Sequence, residues 1–449
     1  MNTKNIEMLE NEKVAPLLIK LSAPAMVGMF LISLYNVVDA FFVGRGVGAL
    51  GIAAVFISFP TILTIMAVAQ TFGVGGASLT SRFLGAKNNE QAEEVLGSVL
   101  SVGFITGLFM GLFFYVTTNK MIVFFGASPE ILAPASLYAK ILFAGTPFFN
   151  IMMIMNNLVR GEGNTKLSMW SMAISSLSNV VMDALFIFVF GWGIAGAAIA
   201  TVLSQILAVV WLLNYYVSGK SAIKLRSRYF FHPSLHHITN ILKVGASAFI
   251  RQTGIAISWT ILNKVFSATG GDIAVASSGI IQRLFSIIVM PMIGMGHGLL
   301  PIVGYNYGAK AHKRILEVMN FSNGFSTVFC FVASLILFIF PAELLSFFSE
   351  SNELLQIGIP GAKIVSLGIV TTGVQICIAT YYQGIGNGGL SFFLSMLRPL
   401  LLQPVIAIVL TPFYGILGAW LSFPISDFGT FLISVVLYHY SVKKIKETL

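Results

Sequence analysis

Three of the four aspartates in the chain, Asp39, Asp183 and Asp427, sit inside long apolar segments. A carboxylate surrounded by hydrocarbon costs roughly 2.5–3.5 kcal/mol by insertion scales. Such residues therefore face a protein interior or a water-filled path and handle ions or protons. Asn179 stands four residues before Asp183, one turn away on the same helical face. The next hairpin turns near Trp192, and Asp183 and Thr201 are each nine residues from it, hence at equal depth on antiparallel neighbours. Asp39 lies close to the end of its own segment, in the same half of the membrane, with Tyr35 one turn deeper. Two neighbouring buried carboxylates share a proton or hold a cation between them. Carboxylate, amide and hydroxyl oxygens are hard ligands that suit Na⁺, by analogy with calcium and magnesium sites. The chemistry expected of Asp39, Asn179, Asp183 and Thr201 is capture of H⁺, or of Na⁺ as a bound metal ion.

Positioning those groups requires a membrane-embedded scaffold. Of 449 residues, 56% are hydrophobic and 10% charged, against about 25% charged in soluble domains. Twelve apolar segments, each about 20 residues or longer, can cross a ~30 Å hydrocarbon core. They lie approximately at 16–43, 50–80, 92–118, 131–158, 166–190, 193–217, 240–265, 273–302, 316–340, 355–382, 390–412 and 414–440. None has the alternation of barrel strands, so an all-α membrane protein is expected. The net charge of +9 is confined to particular loops. Arg82 and Lys87, Arg160 and Lys166, Lys220 to Arg228, and Lys310 to Arg314 follow even-numbered segments, and Lys443 lies near the chain end. Alternate loops hold little beyond Arg45, Lys120, Glu343, Glu350 and Glu353. The positive-inside rule then places both termini in the cytoplasm of a multi-pass cell-membrane protein. Nucleic acid is excluded as a partner, membrane lipid is expected, and a monomer is expected. The N-terminal stretch with Glu7, Glu10 and Glu12 does not read as a cleavable signal. Cys330 and Cys377 lie in expected helices and offer no disulfide framework. No cofactor is called for beyond the coupling ion.

The chain also repeats itself at an offset of 223 residues. Gly85-Ala86-Lys87 recurs as Gly308-Ala309-Lys310, and Ala139-Lys140-Ile141 as Ala362-Lys363-Ile364. Gly161, Gly163 and Asn164 recur as Gly384, Gly386 and Asn387. Six helices per half is an even number, so both halves enter the membrane in one orientation. Two six-helix lobes related by a pseudo-twofold axis along the membrane normal follow, with substrate access between them. The expected divisions are an N-terminal lobe at 1–218, a basic linker at 219–238 and a C-terminal lobe at 239–449. Asp427 is expected either to pair with Arg398 or to line a second path. His297 is expected in the central cleft or as an interior histidine. Serine-nucleophile, HExxH and nucleotide-loop motifs are absent, so an enzyme is not expected.

With these features the chain closely resembles the multidrug and toxic compound extrusion (MATE) transporters along essentially its whole length. The strings that carry the likeness are Ser22-Ala23-Pro24, Tyr35 through Asp39, Arg82 through Lys87, Arg160 through Asn164, and Pro301 through Lys310. The acidic pair in the first lobe matches the DinF-like branch. That resemblance implies a coupling-cation site at Asp39, Asn179, Asp183 and Thr201, and substrate-cavity positions at Tyr35, Tyr138 and Asn156. It implies alternating-access antiport, with H⁺ or Na⁺ moving inward and lipophilic, often cationic, organic compounds moving out. An alternative on the same fold is a flippase or exporter of a lipid-linked precursor or endogenous metabolite, with Arg251, Arg283 and Arg398 as candidate contacts.

Overall fold

The computed structural model describes residues 4–348 and 351–447; Glu350, expected in a sparsely charged loop, lies outside them. A short helix α1 (Lys4–Asn11) precedes the spans α2 (Val14–Gly46), α3 (Ala49–Gly85) and α4 (Asn89–Phe124). Next comes α5, two arms (Pro129–Ala144 and Thr146–Gly161) bent by 53°. Then follow α6 (Thr165–Val189), α7 (Gly193–Val217) and the short α8 (Ser227–Phe231). A helical run, Leu235–Gly308, is broken at Gly270 and Gly271 into α9 (235–269) and α10 (272–308). The chain ends with α11 (His312–Ile339), α12 (Pro341–Ser346), α13 (Asn352–Gly384), α14 (Gly388–Tyr414) and α15 (Ile416–Glu447).

Unbroken, the 74-residue run would extend about 110 Å at 1.5 Å per residue, far beyond any bilayer. Gly271, at φ 63° and ψ −158°, takes a conformation open essentially to glycine alone, and the chain reverses there. With that division and α5 counted as one bent span, the described residues form the twelve spans expected. The bend in α5 has a local cause. Pro147 has no N–H, so the carbonyl of Phe143 loses its helical partner; it comes to rest against Gly111 of α4, where any Cβ would be in close contact.

The internal duplication is written into the backbone. Lys87 and Lys310 both adopt φ 57°, and Gly163 and Gly386 both adopt φ 80°. Asn164 caps α6 through the Leu167 N–H at 3.2 Å, and Asn387 caps α14 through the Leu390 N–H at 3.1 Å. The contact between lobes is reciprocal. Gly85 lies against the carbonyl of Tyr305, and Gly308 against that of Arg82; each pair maps onto the other by the sequence offset. A side chain at either glycine would force the lobes apart.

Further contacts that join the lobes gather at this same, basic end of the bundle. Gly75 meets the backbone of Ile241, Gly245 that of Thr71, and Gly298 that of Ser22, while Ser78 donates to the Gln383 carbonyl. Helix α1 straps across the seam. Buried Leu9 packs on Gly163, and Glu10 takes the Lys87 ammonium at 3.3 Å and the Tyr305 hydroxyl at 3.3 Å. Arg314 donates to the carbonyls of Leu9 at 3.1 Å and Glu12 at 2.8 Å.

Candidate ion-coupling site

Helices α2, α5, α6 and α7 bring the predicted acidic residues together in the first lobe, toward the end opposite the basic loops. Asp183 is fully buried at the entry to a π-helical turn, Ala184–Val189, a distortion that recurs at functional sites. Gly46 of α2 packs directly on Ile187 of that turn, which draws the end of α2 against α6. The carboxyls of Asp39 and Asp183 face each other within hydrogen-bonding reach. In the amide orientation that satisfies both neighbours, Asn179 donates to Asp183 Oδ2 at 2.7 Å and accepts from the Thr201 N–H at 3.2 Å. Thr201 Oγ1 also back-bonds to the Ala197 carbonyl at 3.0 Å. Counting along the hairpin set Asp183 and Thr201 at one depth; Asn179, one turn before Asp183, is the residue that bonds to Thr201.

The two tyrosines complete this group. Tyr35 lies near Thr201 and both carboxyls, and buried Tyr138 lies near Asp39, Tyr35 and Asp183. Val43, Phe143, Ile187 and Ile194 belong to the apolar cluster that also contains Tyr138. Asp183 Oδ1 is buried without a hydrogen-bond partner. A proton on the pair, or a small cation between the carboxyls, would satisfy that orphaned oxygen. Among the described residues no three His, Cys, Asp or Glu side chains come together. The donor set is thus two carboxyls, an amide and a hydroxyl, which suits H⁺ or a hard alkali cation and not a thiophilic metal.

Asn156 and His297 are not part of this group. Asn156 is buried and engaged with the Met152 carbonyl at 3.0 Å, Ser171 at 3.3 Å and Ser168 at 3.1 Å. Ser171 is twelve residues along α6 from Asp183, about 18 Å. His297 instead lies close to Arg160 and Arg251. Counting Arg160 among the loop cations needs correction: it is 3% exposed. Helical side chains lean toward the N-terminus, and the guanidinium folds back to Asn157 at 2.8 Å and to Ser168 at 3.0 Å. Asp427 takes the first of its two expected roles. It is fully buried and ion-paired with Arg398, whose guanidinium also lies 5.2 Å from the Phe285 ring. Arg283 is exposed.

Twelve spans in two similar lobes, with a facing carboxyl pair in one of them, have the architecture of a multi-pass membrane transporter. The MatE family profile matches residues 24–185 and 246–409, once per lobe, and the chain belongs to that family. It is 26% identical over 420 residues to the multidrug export protein MepA of Staphylococcus saprophyticus, covering 93% of this chain and 92% of that one. It is 24% identical to MepA of Staphylococcus aureus over 429 residues, covering 95% and 94%. Among solved structures, a MATE crystal structure in the bent conformation superposes with TM-score 0.94 at 25% identity, covering 100% of this chain and 99% of that one.

Proposed function

We propose that the protein is a cation-coupled antiporter, with H⁺ or Na⁺ entering at the Asp39–Asp183 pair as an organic compound is exported from the cell. The observation that carries this reading is the carboxyl of half-buried Asp39 facing that of buried Asp183, with Asn179 and Thr201 beside them and one Asp183 oxygen unpartnered. Two carboxylates in one apolar pocket repel, so an empty, doubly ionised site is costly and a loaded one is favoured. Loading pulls α2 onto α6 and biases the lobe pair toward one arrangement; the coupling requires that the exported compound favour the other. The basic end is assigned to the cytoplasm by the positive-inside rule. A solved MATE transporter described as outward-facing matches the chain with TM-score 0.92. The division at 219–238 is consistent with a basic segment that lets two rigid lobes rock. Export of multiple drugs, as the name MepA describes for the staphylococcal relatives, is the parent substrate class.

Proteoliposomes holding the full chain test the reading. An imposed ΔpH or ΔNa⁺ is expected to drive ethidium or a fluoroquinolone, and D39N combined with D183N is expected to lower ion-dependent transport by about 5–150-fold. Transport that the double variant leaves unchanged sinks the mechanism.

A further inference from the structure

A second polar cluster lies where the lobes meet. Arg160 comes from the first lobe, and Arg251 and His297 from the second; both arginines come near the histidine. Their placement follows from helix register. On α9, Arg251 is one turn on from Ser247, which accepts from Gln383 of α13 at 3.1 Å, and six residues from Gly245, which packs on Thr71 of the first lobe. Arg251 thus falls between the face of α9 that meets α13 and the face that meets the first lobe. On α10, Gly294 and Gly298 pack on α2 of the first lobe, and Gly296 packs on Thr380 of α13. His297 likewise falls between those two faces.

What this cluster lacks is negative charge. Among the described residues, neither Arg160 nor Arg251 lies within 4.0 Å of a carboxylate. Arg160 has only the neutral partners Asn157 and Ser168. Arg251 has no hydrogen bond to a described residue, although it is only partly exposed. By contrast, the Arg398 guanidinium is paired with a carboxylate, that of Asp427. Guanidiniums left unpaired at membrane depth are costly, and an arriving anion removes that cost. A guanidinium is also the side chain best shaped for planar, bidentate capture of carboxylate or phosphate oxygens.

We infer that Arg251 and His297, backed by Arg160, form a subsite for an anionic group on the transported compound. The substrates this protein handles best are then amphipathic organic anions or zwitterions, and not lipophilic monocations. The inference rests on the lobe seam being the transport path. The anion would sit between residues of both lobes, so its binding would bridge the parts that move. Arg251 is the selective contact, because Arg160 is already held by its own helix and by α6.

Equilibrium binding of carboxyfluorescein, an organic carboxylate, and of ethidium, a cation of similar size, to the purified full chain tests this directly. Wild type is expected to bind the anion more tightly. R251A is expected to weaken anion binding about tenfold or more and to leave ethidium unchanged or tighter, while R251K retains part of the anion affinity. Proteoliposome transport under ΔpH or ΔNa⁺ should show the same preference as a rise in KM for the anion alone. No carboxyfluorescein binding by wild type, or equal losses for both dyes in R251A with a normal thermal unfolding profile, overturns the subsite. Ion-driven ethidium export abolished by D39N with D183N, together with no anion binding, would keep the antiport reading and discard this one. Anion binding that depends on Arg251 while D39N with D183N leaves transport unchanged would do the reverse.

Discussion

In the first lobe, buried Asp183 faces a second carboxyl, an amide and a tyrosine-lined pocket; in the second, buried Asp427 faces a guanidinium. Both arrangements sit beside a π-helical turn, Ala184–Val189 in α6 and Leu397–Leu402 in α14, the corresponding helices of the two repeats. The same distorted helix therefore holds a carboxyl that still needs a partner in one lobe and a cation that already has one in the other. A site that needs a proton or ion responds when one arrives. A closed ion pair has nothing to gain from loading and serves as a brace. Duplication supplied two copies of a scaffold, and charge placement made one of them switchable.

The sharpest way to break this contrast is to open the second lobe's pair. R398A should destabilise the protein by about 3–5 kcal/mol, because it leaves Asp427 buried and uncompensated. R398M combined with D427L should recover most of that loss, because an apolar pair of similar volume avoids desolvating two charges. Thermal unfolding in detergent measures both, and ion-driven transport by the refolded double variant measures the rest. If the double variant is stable yet uncoupled from the ion gradient, the second lobe is not a brace and the contrast fails.

Much of this was readable from the residues. Spans, repeat and symmetry follow from apolar length and a fixed offset, both set by the bilayer. The acidic group followed from depth, because a hairpin turn fixes the level of residues at equal distance from it. Depth counting does not say which residue of α6 touches Thr201, which is Asn179, one turn from Asp183. It fails too where a long side chain decides the outcome. Arg160 ends a helix and reads as a loop cation, yet its guanidinium turns back into the protein. That α1 fastens both lobes was not legible either, because its partners Tyr305 and Arg314 are about 300 residues away and the charge pattern there speaks only of topology.

A second contrast lies in the turn that follows the fourth span of each lobe. The first lobe has Glu162 there, and the repeat places Ile385 at its counterpart. Glu162 is fully buried and accepts from the Ser221 hydroxyl at 2.6 Å, the Tyr215 hydroxyl at 3.2 Å and the Ala222 N–H at 3.3 Å. Burial pushes its carboxyl up to about 7, from an ordinary value of 4.5. Between those values the folded protein keeps a proton that the unfolded chain has released. Its contribution to stability is therefore full below pH 4.5 and is lost as pH rises to about 7. The expected loss across that window is on the order of 3 kcal/mol. E162Q should flatten the pH dependence and be more stable than wild type near pH 8. Parallel slopes for the two proteins would show that the linker segment over Glu162 is held by its apolar contacts alone.

The smallest expected effect concerns how the first lobe's group is held together. Thr201 contributes its backbone N–H to Asn179 and its hydroxyl to the Ala197 carbonyl, close to Tyr35, so T201V keeps the former and removes the latter. Losing one such hydrogen bond should cost about 0.5–1.5 kcal/mol. If Thr201 is an ion ligand as well as a spacer, the cost should appear in ion affinity and not in thermal stability. The half-maximal Na⁺ or H⁺ concentration for transport would then rise by up to about tenfold. T201S, which restores the hydroxyl, should return the wild-type value. A loss in T201S that T201V does not share would instead mean that the threonine methyl sets the spacing between α6 and α7, leaving ion capture to the carboxyl pair and Asn179. That result would narrow the switchable group of the first lobe without erasing its difference from the Arg398–Asp427 brace.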